Sequence, residues 1–235
     1  MVCRAEWFEF AAPSLLAAAL AEAVASRLRE AIETRGEVVL AVSGGSTPAT
    51  FFRALARKHL DWQSVTVTLV DERFVPPSSD RSNERLVRQN FLMADAGAAK
   101  FVGLFDDGGF DGAAERASER ISNLPQPVDV VILGMGTDGH TASFFADAGN
   151  LEALLDPNEN RAVLAVRSAT AGEPRLTLSS SILTSARHLF VHIEGEEKRS
   201  LLSDVLAERT TAPIGSVLNN LNYPADIYWA PGEDK

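Results

Sequence analysis

Hydrophobic positions fall into short dense runs parted by polar and glycine-bearing stretches. The densest run is residues 128–133, V-D-V-V-I-L, the β-branched and aliphatic pattern of a strand buried on both faces. Residues 37–42 and 65–70 share that character, and residues 100–103, 162–167, 175–178, 188–193 and 225–229 predict further strands. Residues 4–10 alternate loosely, as an edge strand does. Between the runs the spacing turns helical. The longest helix should open at Pro13-Ser14 with Ser14 as N-cap, carry an apolar stripe through Leu28 and Ile32, and stop at Gly36. Shorter helices are expected over 49–58, 82–92, 111–123 and 179–185, and from the turn at 195–198 to about Leu206. At least five strand–helix alternations predict an α/β fold: an open, mostly parallel sheet, Rossmann-like and doubly wound, with helices on both faces. The 175–178 strand with its neighbour, and the terminal segments, are expected to add a small subsidiary layer. No repeat, low-complexity tract or linker interrupts the pattern, so residues 1–235 read as a single domain.

Charge and composition narrow the function. A formal net charge of −10 argues against a non-specific nucleic-acid binder and leaves room for a local basic pocket around a small anionic metabolite. Cys3 is the only cysteine, which excludes an intramolecular disulfide and a cysteine-rich zinc site. Residues 11–21 are apolar enough for a signal-peptide core, but Glu6 and Glu9 precede them where a basic stretch belongs. They read as helix, no membrane association is expected, and the protein is placed in the cytoplasm.

Two glycine turns follow predicted strands. After residues 128–133 comes Gly134-Met135-Gly136, then Asp138 and His140, a carboxylate and an imidazole two residues apart. An open α/β sheet puts its chemistry just beyond the carboxyl ends of its strands. The spacing Gly134-x-Gly136-x-x-Gly139 formally matches a dinucleotide fingerprint. Its mid-chain position and Asp138, which would face a pyrophosphate, argue against that reading. Asp138 also suits a helix N-cap, and capping explains it about as well as catalysis does. After residues 37–42 the loop Ser43-Gly44-Gly45-Ser46-Thr47 offers main-chain N–H groups and hydroxyls to an anion, with Pro48 suited to a first helical position. A plain turn capped by Thr47 is the alternative. Asp71, Glu72 and Arg73 end the 65–70 run and lie on the same sheet edge if the strands are parallel, although a charged triplet is by default a solvated turn. His59, His188 and His192 read as structural.

Together these pieces resemble the glucosamine-6-phosphate isomerase/6-phosphogluconolactonase family, on its lactonase side. The resemblance rests on S-G-G-S-T-P at 43–48, D-E-R at 71–73, G-M-G-T-D-G-H-T-A-S at 134–143, P-R-L-T-L at 174–178 and G-E-E-K at 195–198. One departure follows Ser143, where lactonases continue S-L-F-P-G and this chain reads Phe144-Phe145-Ala146-Asp147. The resemblance implies hydrolysis of 6-phospho-D-glucono-1,5-lactone in the oxidative pentose phosphate pathway, without metal or organic cofactor. The partner is then a small-molecule substrate, and the protein a monomer or small homo-oligomer. His140 would be the general base, kept neutral by a helix N-terminus beside it, with Asp138 orienting it and Asp71 positioning water or sugar hydroxyls. Arg73, Arg175 and Lys198, with Ser43, Gly44, Gly45, Ser46 and Thr47, would hold the phosphate. The deaminase branch places a glutamate seven residues after the aspartate of D-G-H, where this chain has Phe145. A non-catalytic sugar-phosphate sensor is the other alternative, but no helix–turn–helix pattern accompanies the domain.

Overall fold

The computed structural model describes residues 5–45 and 47–232, so Arg4 of the expected edge strand and Ser46 of the glycine loop lie outside the described residues. Ten strands alternate with eight α-helices among the described residues. The strands are β1 (Ala5–Glu9), β2 (Val38–Val42), β3 (Val65–Leu69), β4 (Asp71–Arg73), β5 (Lys100–Val102), β6 (Val130–Leu133), β7 (Val163–Val166), β8 (Arg175–Leu178), β9 (His188–Glu194) and β10 (Ala225–Ala230). Seven of them form one sheet in the order β1-β10-β9-β6-β2-β3-β5, and every neighbouring pair is parallel. Every residue of β2 and of β6 is buried, which is why these segments are continuously apolar: helices and loops cover both faces of a parallel sheet. The edge strand at the N-terminus is borne out as β1.

The order of the strands fixes where a ligand can sit. From β2 the chain runs outward through β3 to β5, then returns to lay β6 on the other side of β2. The loops after β2 and β6 therefore leave the sheet in opposite directions, and the crevice between them is the switch point of the fold.

Val70 joins the two sheets. Its N–H continues the parallel ladder, donating to the Val42 carbonyl at 2.9 Å, while its own carbonyl accepts from the Leu178 N–H at 2.8 Å. The next three residues form β4, which pairs antiparallel with β8, and β8 pairs antiparallel with β7. The expected subsidiary layer is thus a three-stranded antiparallel sheet made of β4, β8 and β7. The terminal segments, expected in that layer, instead form the β1–β10 edge of the main sheet. The solvated-turn reading of the charged triplet also fails, because Asp71 and Glu72 are buried.

Helix boundaries follow local chemistry. Helix α1 (Pro13–Arg35) has Ala12 at its cap position and Pro13 in its first turn, so Ser14 lies inside the helix and is not the cap. Its Leu16, Leu20, Val24 and Leu28 are fully buried at helical spacing. Helix α2 (Ala49–Leu55) stops three residues short of the expected end, and its cap position is Pro48 rather than Thr47. Helix α3 (Asn83–Asn90) is capped by the Ser82 hydroxyl, which accepts from the Arg85 N–H. Helices α4 (Ala113–Ser122), α6 (Ser180–Ser185) and α7 (Glu196–Leu206) fall where expected. Two short helices, α5 (Leu151–Leu155) and α8 (Pro213–Asn219), were not foreseen. No described helix is long and apolar enough to cross a membrane.

The amino end of the sheet has its own polar anchor. Asp129, just before β6, is buried and accepts from Arg35 at 3.0 and 2.6 Å and from the Val39 N–H at 2.8 Å. It joins α1, β2 and β6 at the end of the sheet away from the glycine loops. Asp129→Ala leaves the Val39 N–H unpaired and Arg35 without its partner, and is expected to cost roughly 2–4 kcal/mol of stability. Urea denaturation followed by circular dichroism measures this; a midpoint unchanged from wild type contradicts it.

Candidate active site

The loops after β2, β3 and β6 converge on a cavity of about 200 Å³ at the switch point. Its walls include Ser43, Gly44, Gly45, Thr47, Asp71, Arg73, His140, Arg175 and Lys198, so nine of the expected site residues share one space. Asp138 stands behind His140 and does not line it.

The β6 loop closes on itself. The Gly136 N–H donates to the His140 carbonyl at 2.9 Å, and the Thr141 hydroxyl donates to the Gly134 carbonyl at 2.8 Å. Asp138 Oδ1 lies 2.5 Å from His140 Nδ1 and accepts the His140 N–H at 3.2 Å. This Asx-type turn replaces the expected helix cap, for residues 134–150 contain turns and no helix. No helix begins within this loop; the helix N-terminus beside it is that of α8, whose Ile214 N–H donates to the Gly139 carbonyl at 3.2 Å, and Asp138 holds the ring through Nδ1. With Nδ1 engaged, Nε2 is the nitrogen left for chemistry. Burial pushes the Asp138 carboxyl up, but its contacts with His140 outweigh that and leave it below the ordinary aspartate value. Gly136 must lack a side chain, because a Cβ there would collide with the His140 ring. Phe145 packs against that ring at a tilt of 31°, with centroids 4.4 Å apart.

The second sheet delivers two of the cations, and α7 (Glu196–Leu206) the third, Lys198. Arg73 of β4 and Arg175 of β8 are register partners, so two guanidinium-bearing side chains sit directly across an antiparallel pair. Like charges in that position repel unless an anion or acidic neighbours balance them. Asp71 supplies part of the balance, with Oδ2 at 3.8 Å from Arg175 Nη1 and accepting the Ser143 hydroxyl at 2.6 Å. The Arg73 side chain donates to the Arg81 carbonyl, and Arg175 Nη2 to the Ala171 carbonyl at 3.1 Å. Burial lowers the pKa of Arg175, opposed by Asp71, and burial likewise lowers that of Lys198, opposed by Glu194. A cavity holding partly desolvated cations favours an anionic ligand. No cluster of three or more metal-ligating side chains occurs among the described residues.

Three residues near the cavity were given no role in the sequence reading. Asn83, the first residue of α3, donates to the Asp71 carbonyl at 2.8 Å and fills the space a Gly44 side chain would need. His192, read as structural, lines the cavity with Nε2 3.3 Å from Glu194 Oε1. Glu72 lies fully buried behind Asp71 and Arg73. Position alone hinted at Asn83 and Glu72, the one opening a helix and the other lying between two site residues. Asp147, at the departure from the family pattern, is tied to the Ser168 hydroxyl at 2.5 Å and the Thr170 N–H at 3.0 Å.

Comparison with known proteins places this geometry. Residues 11–229 match the family described as glucosamine-6-phosphate isomerases/6-phosphogluconolactonase. The chain belongs to that family. A 6-phosphogluconolactonase of Rhizobium meliloti is 52% identical over 225 residues, covering 94% of this chain and 97% of its relative. One from Pseudomonas putida is 41% identical, covering 95% and 92%. The crystal structure of a 6-phosphogluconolactonase from Shewanella baltica superimposes with a TM-score of 0.93 at 40% identity, over 98% of this chain and 99% of that one. The family relationship extends over both sheets, since the matched residues run from α1 into β10.

Burial pushes the Glu72 carboxyl up to about 6, against the pull of its hydrogen-bond donors. The folded state thus holds this proton more tightly than the unfolded chain. The group's stabilising contribution is present below about pH 4.5, the ordinary glutamate value, and is lost as pH rises through about 6. A shift of that size corresponds to about 2 kcal/mol. Relative to Glu72→Gln, wild type should therefore lose about 2 kcal/mol of stability between pH 4 and pH 7. Urea denaturation of both proteins at the two pH values measures it; a constant difference contradicts the assignment.

Proposed function

We propose that this protein hydrolyses 6-phospho-D-glucono-1,5-lactone to 6-phosphogluconate in the oxidative pentose phosphate pathway, with the whole chain acting as one catalytic unit in the cytoplasm. The observation that carries the reading is a carboxylate-oriented imidazole and a facing pair of arginines in one cavity, in a chain 52% identical to a 6-phosphogluconolactonase.

In the mechanism we infer, His140 Nε2 takes a proton from water as the water oxygen attacks the lactone carbonyl carbon. The carbonyl oxygen becomes an oxyanion, and Asp138 stabilises the imidazolium that forms. Collapse of the tetrahedral intermediate breaks the bond to the ring oxygen, which receives the proton from His140. The product is an open-chain acid carrying a new hydroxyl. Asp71, held by Ser143, positions the water or a sugar hydroxyl. Arg73, Arg175, Lys198 and the N–H groups of the Ser43–Thr47 loop hold the phosphate, the arginines by their forks and the lysine as a point charge. The whole sequence of steps requires no metal.

The deaminase alternative lacks its ring-opening acid here. Phe145 packs on His140 where the deaminase branch carries glutamate, and Asp147 is occupied by Ser168 and Thr170. Incubation with the lactone and, separately, with glucosamine 6-phosphate distinguishes the two. Acid release from the lactone without ammonia from the amino sugar is expected; ammonia at a comparable rate would promote the deaminase reading.

The two halves of the site should fail differently. His140→Ala should lower kcat by about 10²–10⁴-fold with little change in KM, and EDTA should leave the wild-type rate unaltered. Alanine at Arg73, Arg175 or Lys198 should instead weaken binding by about 1.5–3 kcal/mol each, read as a rise in KM. Steady-state kinetics on freshly generated lactone check both; full activity in the histidine variant, or unmoved KM in all three others, contradicts the respective role.

A further inference from the structure

Asp71 and Arg73 have places in the reaction, whereas Glu72 between them has none. Yet its carboxylate is the most completely engaged acid at the site. It is fully buried, and each oxygen accepts two donors. Oε1 takes the Arg73 N–H at 2.7 Å and the Asn83 N–H at 2.8 Å. Oε2 takes the Ser82 hydroxyl at 2.9 Å and the Glu84 N–H at 2.8 Å. All four bonding groups are donors, which suits the carboxylate ionised above about pH 6 and offsets part of the burial that pushes its pKa up.

The pattern of these bonds has a mechanical meaning. Arg73 and Asn83 are the two ends of a surface excursion between β4 and α3, and a single oxygen ties both ends together. Inside the excursion lies Arg81, whose carbonyl accepts the Arg73 guanidinium. The position of that carbonyl, and with it the direction of the Arg73 side chain, depends on the excursion being closed at its base. Asn83, held at the same point, reaches back to the Asp71 carbonyl at 2.8 Å.

We propose that Glu72 is a positioning residue for phosphate recognition, its buried carboxylate closing residues 73–83 into a loop that aims the Arg73 guanidinium into the cavity. This rests on the reading of Arg73 as a phosphate ligand. A glutamine in its place presents an NH2 group to two of the four donors and releases half of the closure. The consequence falls on the phosphate end of the site, because His140 and Asp138 belong to a different loop and sheet.

The test compares wild type, Glu72→Gln, Glu72→Asp and Ser82→Ala on 6-phosphogluconolactone and on glucono-1,5-lactone, the same ring without phosphate. Affinity for inorganic phosphate is measured by calorimetry, and Tm for each protein. Glu72→Gln should raise KM for the phosphorylated lactone and Kd for phosphate about tenfold or more, as for loss of a charge-assisted contact. Its kcat, and its kcat/KM on the unphosphorylated lactone, should stay within about threefold of wild type, well inside the range of one hydrogen bond. Glu72→Asp, which keeps the charge on a shorter stem, should fall between the two and carries the test if the glutamine variant does not fold. Ser82→Ala removes one Oε2 donor and the α3 cap but leaves Oε1 untouched. It should lower Tm without moving KM. Equal losses on both lactones, or a lowered Tm with KM and phosphate Kd unchanged in the Glu72 variants, would overturn the proposal. If wild type turned over neither lactone, the functional reading would fall, and phosphate affinity would still decide the role of Glu72.

Discussion

The architecture of the cavity hangs on the way the chain leaves β3. A parallel strand normally runs straight into a loop, and its last carbonyl finds whatever partner the loop supplies. Here Val70 ends one ladder with its N–H and begins another with its carbonyl. The backbone polar groups at the junction stay paired, so the strand end can be buried without penalty. That handover swings Asp71 and Arg73 into an antiparallel sheet whose other members come from a distant part of the chain. Arg175 can face Arg73 only because β8 is fixed by the same residue that completes β3. The loops after β2 and β6 provide hydroxyls, N–H groups and the imidazole, the small sheet provides Arg73 and Arg175, and α7 provides Lys198.

An acidic protein thereby holds a cationic cavity. Surface ion pairs such as Arg27–Glu30 and Lys100–Glu37, between exposed side chains, do little for its stability. The charges that matter are the partly desolvated ones. Arg175 and Lys198 are held in surroundings that disfavour their charge, with Asp71 and Glu194 compensating only in part. In the proposed mechanism an incoming dianion supplies the remainder, so that binding energy is concentrated at the phosphate and away from the reacting carbonyl. His140, held by Asp138 and backed by Phe145, needs orientation more than charge.

Much of this was legible in the sequence, for identifiable reasons. Buried parallel strands are continuous β-branched runs, and a glycine turn followed by an acid and a base two residues apart is short-range information. The main sheet was therefore legible, and so was the closeness of Asp138 and His140. Asp71–Arg73 as a strand was not, since three charged residues carry no signal of a partner more than a hundred positions away. Their burial was missed for the same reason: Glu72 is tolerable inside only because four donors surround it, and three of them come from the cap and first turn of α3. The short helix α8 did carry a signal, with Pro213 in its first turn and Ile214, Val217 and Leu218 at helical spacing. The cap at Ser14 failed because Pro13, which needs no N–H partner, starts the helix two residues earlier, with Ala12 at the cap position.

Strand β6 also sets a distance. Asp129 anchors its amino end and Gly134 opens the His140 loop at its carboxyl end, separated by about 16 Å of extended chain. Sites farther apart than roughly 10 Å, without shared partners, contribute to stability independently. The strand is in effect an insulator as well as a scaffold. Changes that harden the Asp129 end can accumulate without disturbing the imidazole, and the loop at the other end can drift in sequence without loosening the sheet. A fold organised this way lets robustness and chemistry be tuned on separate dials, each within a few residues of the same strand.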